Sequence, residues 1–185
     1  VADRMEPIYN ILKEGVLSGD YLQMDETPVR YLDPKAGKAP LGYMWVTSRP
    51  GGDAIFHWHT SRAARCIKAI LPETFKGILQ TDAYAAYGCF AAEHSEVVMA
   101  GCMAHMRRKF YEAFPQSCSM GNFVLSHIGE LYDVERSLRR RRAGPGLREA
   151  VRNSSSRPIL ARLHKAIKTM KPKFLPQSNA GKAIR

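Results

Sequence analysis

The chain has no apolar run near the ~20 residues that cross a bilayer. Its first residues, Val-Ala-Asp-Arg-Met-Glu, are polar and of mixed charge, so no signal peptide is read. Together these predict no membrane association. No Cys-x-x-Cys occurs. The four cysteines, Cys66, Cys89, Cys102 and Cys118, lack pairing spacing, which speaks against a disulfide scaffold and for reduced thiols in a cytoplasm. There is no internal repeat, and no strand signal after residue 100. The chain starts at Val1 without an initiator Met and stops at Arg185 in what reads as mid-helix. Both ends therefore read as cuts in a longer protein.

Acidic residues are almost missing from the last quarter. From Arg136 to Arg185 there are 15 Lys+Arg against one acid, Glu149, whereas residues 1–135 hold 13 against 16. The formal net charge of +11 thus belongs to the C-terminal segment. Positive charge concentrated in this way suits a polyanionic partner, most simply nucleic acid. A solvated helical face is the plainer alternative.

What the chain does have is two aspartates, each ending an apolar, strand-like run. Asp25 sits in Tyr21-Leu-Gln-Met-Asp-Glu-Thr-Pro-Val29 and Asp82 in Gly77-Ile-Leu-Gln-Thr-Asp-Ala-Tyr-Ala-Ala-Tyr-Gly88. Residues 5–17 read as a short amphipathic helix. Residues 21–32, 42–47 and 54–59 read as three strands joined by turns at Asp33–Lys38 and Arg49–Asp53, an antiparallel meander. Ser61 offers an N-cap to a helix carrying Ala64, Ile67, Ile70 and Leu71 and stopped by Pro72. A fourth strand, 77–82, follows that helical crossover and is expected to run parallel. A short fifth strand covers 97–100. A helix runs from Met103 to Phe114, with Met103, Met106, Phe110 and Ala113 on one face and Pro115 as its stop. A long helix spans 122–142, with Val124, Ile128, Leu131 and Leu138 apolar, and Ala143–Gly146 breaks it. Residues 157–170 are helical with a stripe of Leu160, Leu163, Ile167 and Met170.

This order, β-β-β-α-β-α-β-α and then helices, predicts an α/β fold: a ribonuclease H-like mixed five-stranded sheet with flanking helices and a C-terminal helical insertion. Residues 1–116 form the catalytic core in this reading, and 117–185 a basic helical insertion. Strands one and four would be neighbours, so Asp25 and Asp82 could share one divalent metal site. Hard cations take oxygen ligands, and metal-dependent phosphodiester chemistry uses carboxylates from separate segments. Glu26 would face the opposite side of the sheet and serve a structural role.

Cys102 and His105 could be half a zinc site, but no second pair with ligand spacing follows. His105 fits better near the active face, bonding a carboxylate or a phosphate. Arg107, Arg108 and Lys109 form a basic run facing away from the apolar stripe. Arg139, Arg140, Arg141 and Arg142 suit either phosphate contact or the helix C-terminal dipole. His57 and His59 share a strand face, read as exposed rather than metal-binding. Trp45, Phe56 and Trp58 are read as core.

Taken together, Asp25–Val29, Gln80–Gly88, Cys102–Phe110, Leu131–Arg136, Arg157–Leu160 and Ser178–Arg185 resemble, in order, the transposases of the insertion sequence 66 family. The resemblance implies a DDE-type DNA transposase core. In that chemistry two aspartates and one glutamate hold two Mg²⁺ (or Mn²⁺) ions. Water attacks a phosphodiester at the element end, and the freed 3′-hydroxyl then attacks target DNA. Asp25 and Asp82 would be the first and second metal-holding catalytic acids, with Cys102 and His105 in a supporting Cys-x-x-His motif. The family glutamate lies downstream, and the chain ends before any such segment, so the isolated fragment is expected to be inactive. Glu112, on the face of His105, is a conceivable substitute at no matching position. The resemblance also implies DNA partners, a homo-oligomer and a bacterial, nucleoid-associated setting. Competing readings are another ribonuclease H-like nuclease and a non-catalytic DNA-binding remnant.

Overall fold

The computed structural model describes residues 2–34, 37, 39–115 and 118–184. Residues 35, 36 and 38 of the expected Asp33–Lys38 turn lie outside this set, as does Arg185. The chain divides into two compact units, residues 1–102 and 103–185.

In the first unit, β1 (Tyr21–Arg30) alternates strictly over its first half. Leu22, Met24 and Glu26 are buried, while Tyr21, Gln23 and Asp25 point the other way, as a two-residue period requires. β2 (Leu41–Ser48) and β3 (Ala54–His59) complete the meander, both pairings antiparallel. Helix α2 (Ala64–Ile70) carries the chain across to β4 (Gly77–Thr81), which pairs parallel to β1. Helix α3 (Ala85–Glu93) leads to β5 (Val97–Gly101), parallel to β4. The sheet order β3-β2-β1-β4-β5 is the mixed, five-stranded ribonuclease H-like arrangement the element order predicts. Helix α1 (Ala2–Leu17) precedes it.

One sheet face, with Leu22, Met24, Trp45, Ile55 and Leu79, forms a single core with Val16 of α1, Ile67 and Ile70 of α2, and Tyr87 and Phe90 of α3. Three expectations change at this level. Ser61 does not cap α2: the cap residue is Ala63, and the Ser61 hydroxyl accepts the Ala63 N–H at 3.2 Å in a turn just before it. Phe56 and Trp58 are not core but 58% and 41% exposed on the opposite sheet face. Strand parity decides this: Ile55 and His57 take the inward positions, so their neighbours turn out. The Trp58 indole instead lies over Gly42, where a Cβ would sit 2.2 Å from the ring, and meets Tyr31 edge-on. His57 and His59 therefore lie on the helix-covered side, and His57 Nδ1 bonds the Tyr9 hydroxyl of α1 at 3.1 Å.

The second unit is helical: α4 (Met103–Ala113), α5 (Ser119–Arg140), α6 (Pro145–Val151), α7 (Arg157–Met170) and α8 (Asn179–Ile184). Phe110, Phe114, Val124, Ile128, Leu131, Ile159, Leu163, Met170 and Ile184 form its core. All four apolar positions read on α5 are buried, Leu138 included. On α7, Leu163 and Met170 of the expected stripe are buried and Ile167 is half-buried, but Ile159 is buried in place of Leu160, which is exposed. The break after α5 is shorter than expected. Pro145 restarts a helix at its first turn, where a missing N–H costs nothing. A π-turn, Arg152–Ser156, joins α6 to α7, with the Arg157 N–H donating to the Arg152 carbonyl five residues back. Pro158, which has no N–H to give, follows this widened turn.

Candidate active site

The parallel register Tyr21↔Ile78, Leu22↔Leu79, Gln23↔Gln80 aligns the two aspartate-bearing segments. Asp25 follows Gln23 by two residues within β1, and Asp82 follows Gln80 by two, just past the end of β4. Gln23 Nε2 and the Tyr21 hydroxyl both donate to Gln80 Oε1, at 2.6 and 3.2 Å, lacing the two strands just below the aspartates. Gly77 makes this register possible. Its φ is +124°, and a Cβ there would fall 2.1 Å from the Asp20 carbonyl oxygen.

Asp82 is the first residue beyond β4, in a tight turn. Its Oδ1 accepts the Tyr84 N–H at 2.8 Å, and Thr81 Oγ1 accepts the Ala83 N–H at 3.2 Å. Ala83 sits at φ +63°, a conformation non-glycine residues rarely hold without compensating contacts. The turn's own side-chain bonds provide them. Asp25 Oδ1 accepts the Glu26 N–H at 3.0 Å.

Behind the aspartates is a buried charged network. The Glu26 side chain is fully buried and accepts from Arg62 Nε through one oxygen and from the Tyr87 hydroxyl, at 2.5 Å, through the other. The Arg62 guanidinium also reaches Asp82 Oδ2 at 3.5 Å and lies 3.8 Å from the centroid of the Tyr84 ring. Burial pulls the Arg62 pKa down, but the Glu26 hydrogen bond and the charges of Glu26 and Asp82 raise it on balance. The Tyr87 phenol is pushed well up, first by burial, then by its bond to Glu26, then by the charges of Asp82 and Asp25. Both aspartates thus act electrostatically on one phenol, and that phenol stays protonated to donate.

Arg62 and Tyr87 were not legible as site residues. The only signal was Glu26 itself, an acid at an inward position of β1, which demands a buried partner. Cys102 follows β5, and its N–H donates to the Thr81 carbonyl at 2.8 Å, next to Asp82 in the chain. His105 is half-buried on the first turn of α4 in the second unit, and Arg107, Arg108 and Lys109 are exposed on the same helix. Glu112 is exposed there too. Glu130 and Glu135 are engaged by Arg162, and by Arg148 and Arg152, respectively.

For a hard divalent cation the donor chemistry of Asp25 and Asp82 fits, since both offer carboxylate oxygens. In number the set is incomplete. Among the described residues no group of three His, Cys, Asp or Glu side chains is placed to hold a metal ion. Also among the described residues, no helix is long and apolar enough to cross a membrane.

The chain is similar to two proteins of Sinorhizobium fredii (strain NBRC 101917 / NGR234). It is 29% identical over 199 residues to "Uncharacterized protein y4jD", covering all of this chain and 38% of that protein. It is 28% identical over 196 residues to "Uncharacterized protein y4qI", covering 98% of this chain and 36% of that one. The chain therefore spans less than two-fifths of these relatives. No solved structure matches it. The profile of the transposase IS66 family matches residues 1–185, and the chain belongs to that family.

Proposed function

We propose that the first unit is the catalytic core of a DDE-type DNA transposase, with Asp25 and Asp82 as two of its three metal-holding acids. The observation that supports this reading is the parallel β1–β4 register, whose last pair, Gln23↔Gln80, lies two residues before Asp25 on one segment and Asp82 on the other. When bound, Mg²⁺ or Mn²⁺ would supply Lewis-acid activation of the attacking oxygen and neutralise charge at the phosphate. The chain's own part is positional. The Asp82 turn fixes one carboxylate, and Arg62, anchored on buried Glu26, holds its outer oxygen. Cys102 ties the end of β5 to Thr81 and supports the same turn. His105 is a supporting residue of the second unit.

The third acid is supplied by another segment of a longer protein, which the greater length of the relatives allows. By itself the 185-residue chain then binds metal weakly and does not complete cleavage and strand transfer. The whole protein would work on element ends and target DNA as a homo-oligomer in a bacterial cytoplasm, close to the nucleoid.

Titration of the chain with Mn²⁺ tests the core of this. Asp25→Asn and Asp82→Asn should each weaken binding, since each removes one charged oxygen ligand. Equal binding by both variants and the parent chain overturns the assignment. Strand transfer by the isolated chain on a donor-end oligonucleotide overturns the need for an outside acid.

A further inference from the structure

The second unit contains a cleft of about 490 Å³ walled by Ala104, Arg107, Arg108 and Tyr111 of α4 and by Tyr132 of α5. Tyr111 is 56% exposed and Tyr132 37%. Helix geometry puts them there. Phe110 and Phe114 take the inward face of α4 and stack at 5.5 Å in the core, which leaves Arg107, Arg108 and Tyr111 on one outer face at i, i+1 and i+4. On α5, Leu131 is inward and Tyr132 is the next residue round. Two tyrosines thus line the cleft beside two arginines, with Ala104 also in its wall.

From Tyr132 the same face of α5 continues to Arg136, Arg139 and Arg140, four, seven and eight residues on. Asp133 pairs with Arg136 at 2.7 Å. Arg139 and Arg140 are exposed in the last turn. Further guanidinium groups therefore follow along the α5 face that carries Tyr132.

This combination selects a particular ligand. Guanidinium groups match phosphate oxygens in geometry and charge. Exposed tyrosine faces match the flat face of a nucleobase, and every base has one. A duplex keeps its bases stacked on each other and leaves such rings unused. Resting on the DNA reading above, we infer that the Tyr111/Tyr132 cleft takes an unpaired nucleotide of single-stranded DNA. Its base lies against the tyrosines, its flanking phosphates lie on Arg107 and Arg108, and the strand continues toward Arg139 and Arg140. A duplex whose end is opened during cleavage supplies such a segment.

Fluorescence anisotropy with labelled oligo(dT), oligo(rU) and a random duplex, on the full chain at fixed low salt, tests this. Tyr111→Ala and Tyr132→Ala should each weaken oligo(dT) binding by about fivefold or more, the loss of one base stack. Tyr→Phe at either position should restore it, since the ring is kept. Duplex affinity should stay unchanged in all four variants. Both tyrosines are exposed, so melting temperature should not move. Unchanged oligo(dT) affinity in the Tyr111→Ala/Tyr132→Ala double variant overturns the inference, as does an equal loss for duplex. Tighter binding of oligo(rU) than of oligo(dT) overturns the choice of DNA. If the chain binds duplex normally in these cases, the transposase reading survives. Binding to neither duplex nor single strand removes that reading, and this inference with it.

Discussion

Glu26 is the residue on which the site's rigidity turns. A carboxylate with no exposed side-chain surface is tolerated only while its oxygens are met, here by Arg62 and Tyr87. Tyr87→Phe removes one donor and leaves a buried charge short of a partner. The expected cost is about 1–3 kcal/mol in urea unfolding followed by tryptophan fluorescence. Trp45, edge-on to Tyr87 at 6.2 Å, reports the change directly. A loss below about 0.5 kcal/mol, the range of an ordinary surface substitution, would show that water takes the phenol's place. The inward position of Glu26 could be read from the alternation of β1. Its partners could not, because Arg62 and Tyr87 lie 36 and 61 residues away and meet it only through the crossover.

At the scale of elements, helix ends and helix-on-strand contacts give two further tests. Helix α5 ends in a left-handed cap: the Ala143 N–H reaches the Leu138 carbonyl and the Arg142 N–H the Arg139 carbonyl, both at 3.0 Å. The left-handed residue is Arg142, at φ +48°, where glycine is usual. Arg142→Gly should raise stability by about 0.5–1 kcal/mol, a rise in melting temperature, as the Cβ strain goes. The same change should weaken DNA binding if Arg142 contacts phosphate. The sequence pointed to Ala143–Gly146 as the break, but the chain turns already at Arg142 and Pro145 opens the next helix. A second test lies where α1 covers β3. Burial, then the charges of Lys13 and His59, hold the His57 pKa below its ordinary 6.5. The unfolded chain therefore takes up a proton at His57 before the folded one does, so stability falls as pH drops below about 6.5. Melting temperature against pH should show this fall, and His57→Gln should flatten it.

For the whole molecule, charge divides along the structural boundary. Residues 103–185 carry 18 Lys+Arg and 5 Asp+Glu, whereas residues 1–102 carry 10 and 12. The basic segment is not a loose tail, because Leu138, Ile159, Leu163 and Met170 are buried within it. Deleting residues 136–185 would therefore remove part of a core as well as charge. Neutralising substitutions are the cleaner probe. With five or more phosphate contacts, log K for random duplex should fall against log salt with a slope of about −4 or steeper. Arg139→Gln and Arg140→Gln should each flatten that slope by about one, read by anisotropy across a salt series. An unaltered slope places the phosphate contacts elsewhere on the unit.

By itself the sequence determined the strands, their order and the facing of β1, because a two-residue period and turn residues are local properties. It also determined the asymmetry of charge and that one aspartate lies on the first strand and the other at the end of the fourth. Only the tertiary structure decided the residue-by-residue register of β4 on β1, Gln23 opposite Gln80. It alone turned Phe56 and Trp58 outward, buried Ile159 in place of Leu160, and brought Arg62 and Tyr87 to Glu26. These outcomes depend on which surfaces meet across dozens of residues. A buried charge or an aromatic ring takes its partner from the packed neighbours, which no local pattern encodes.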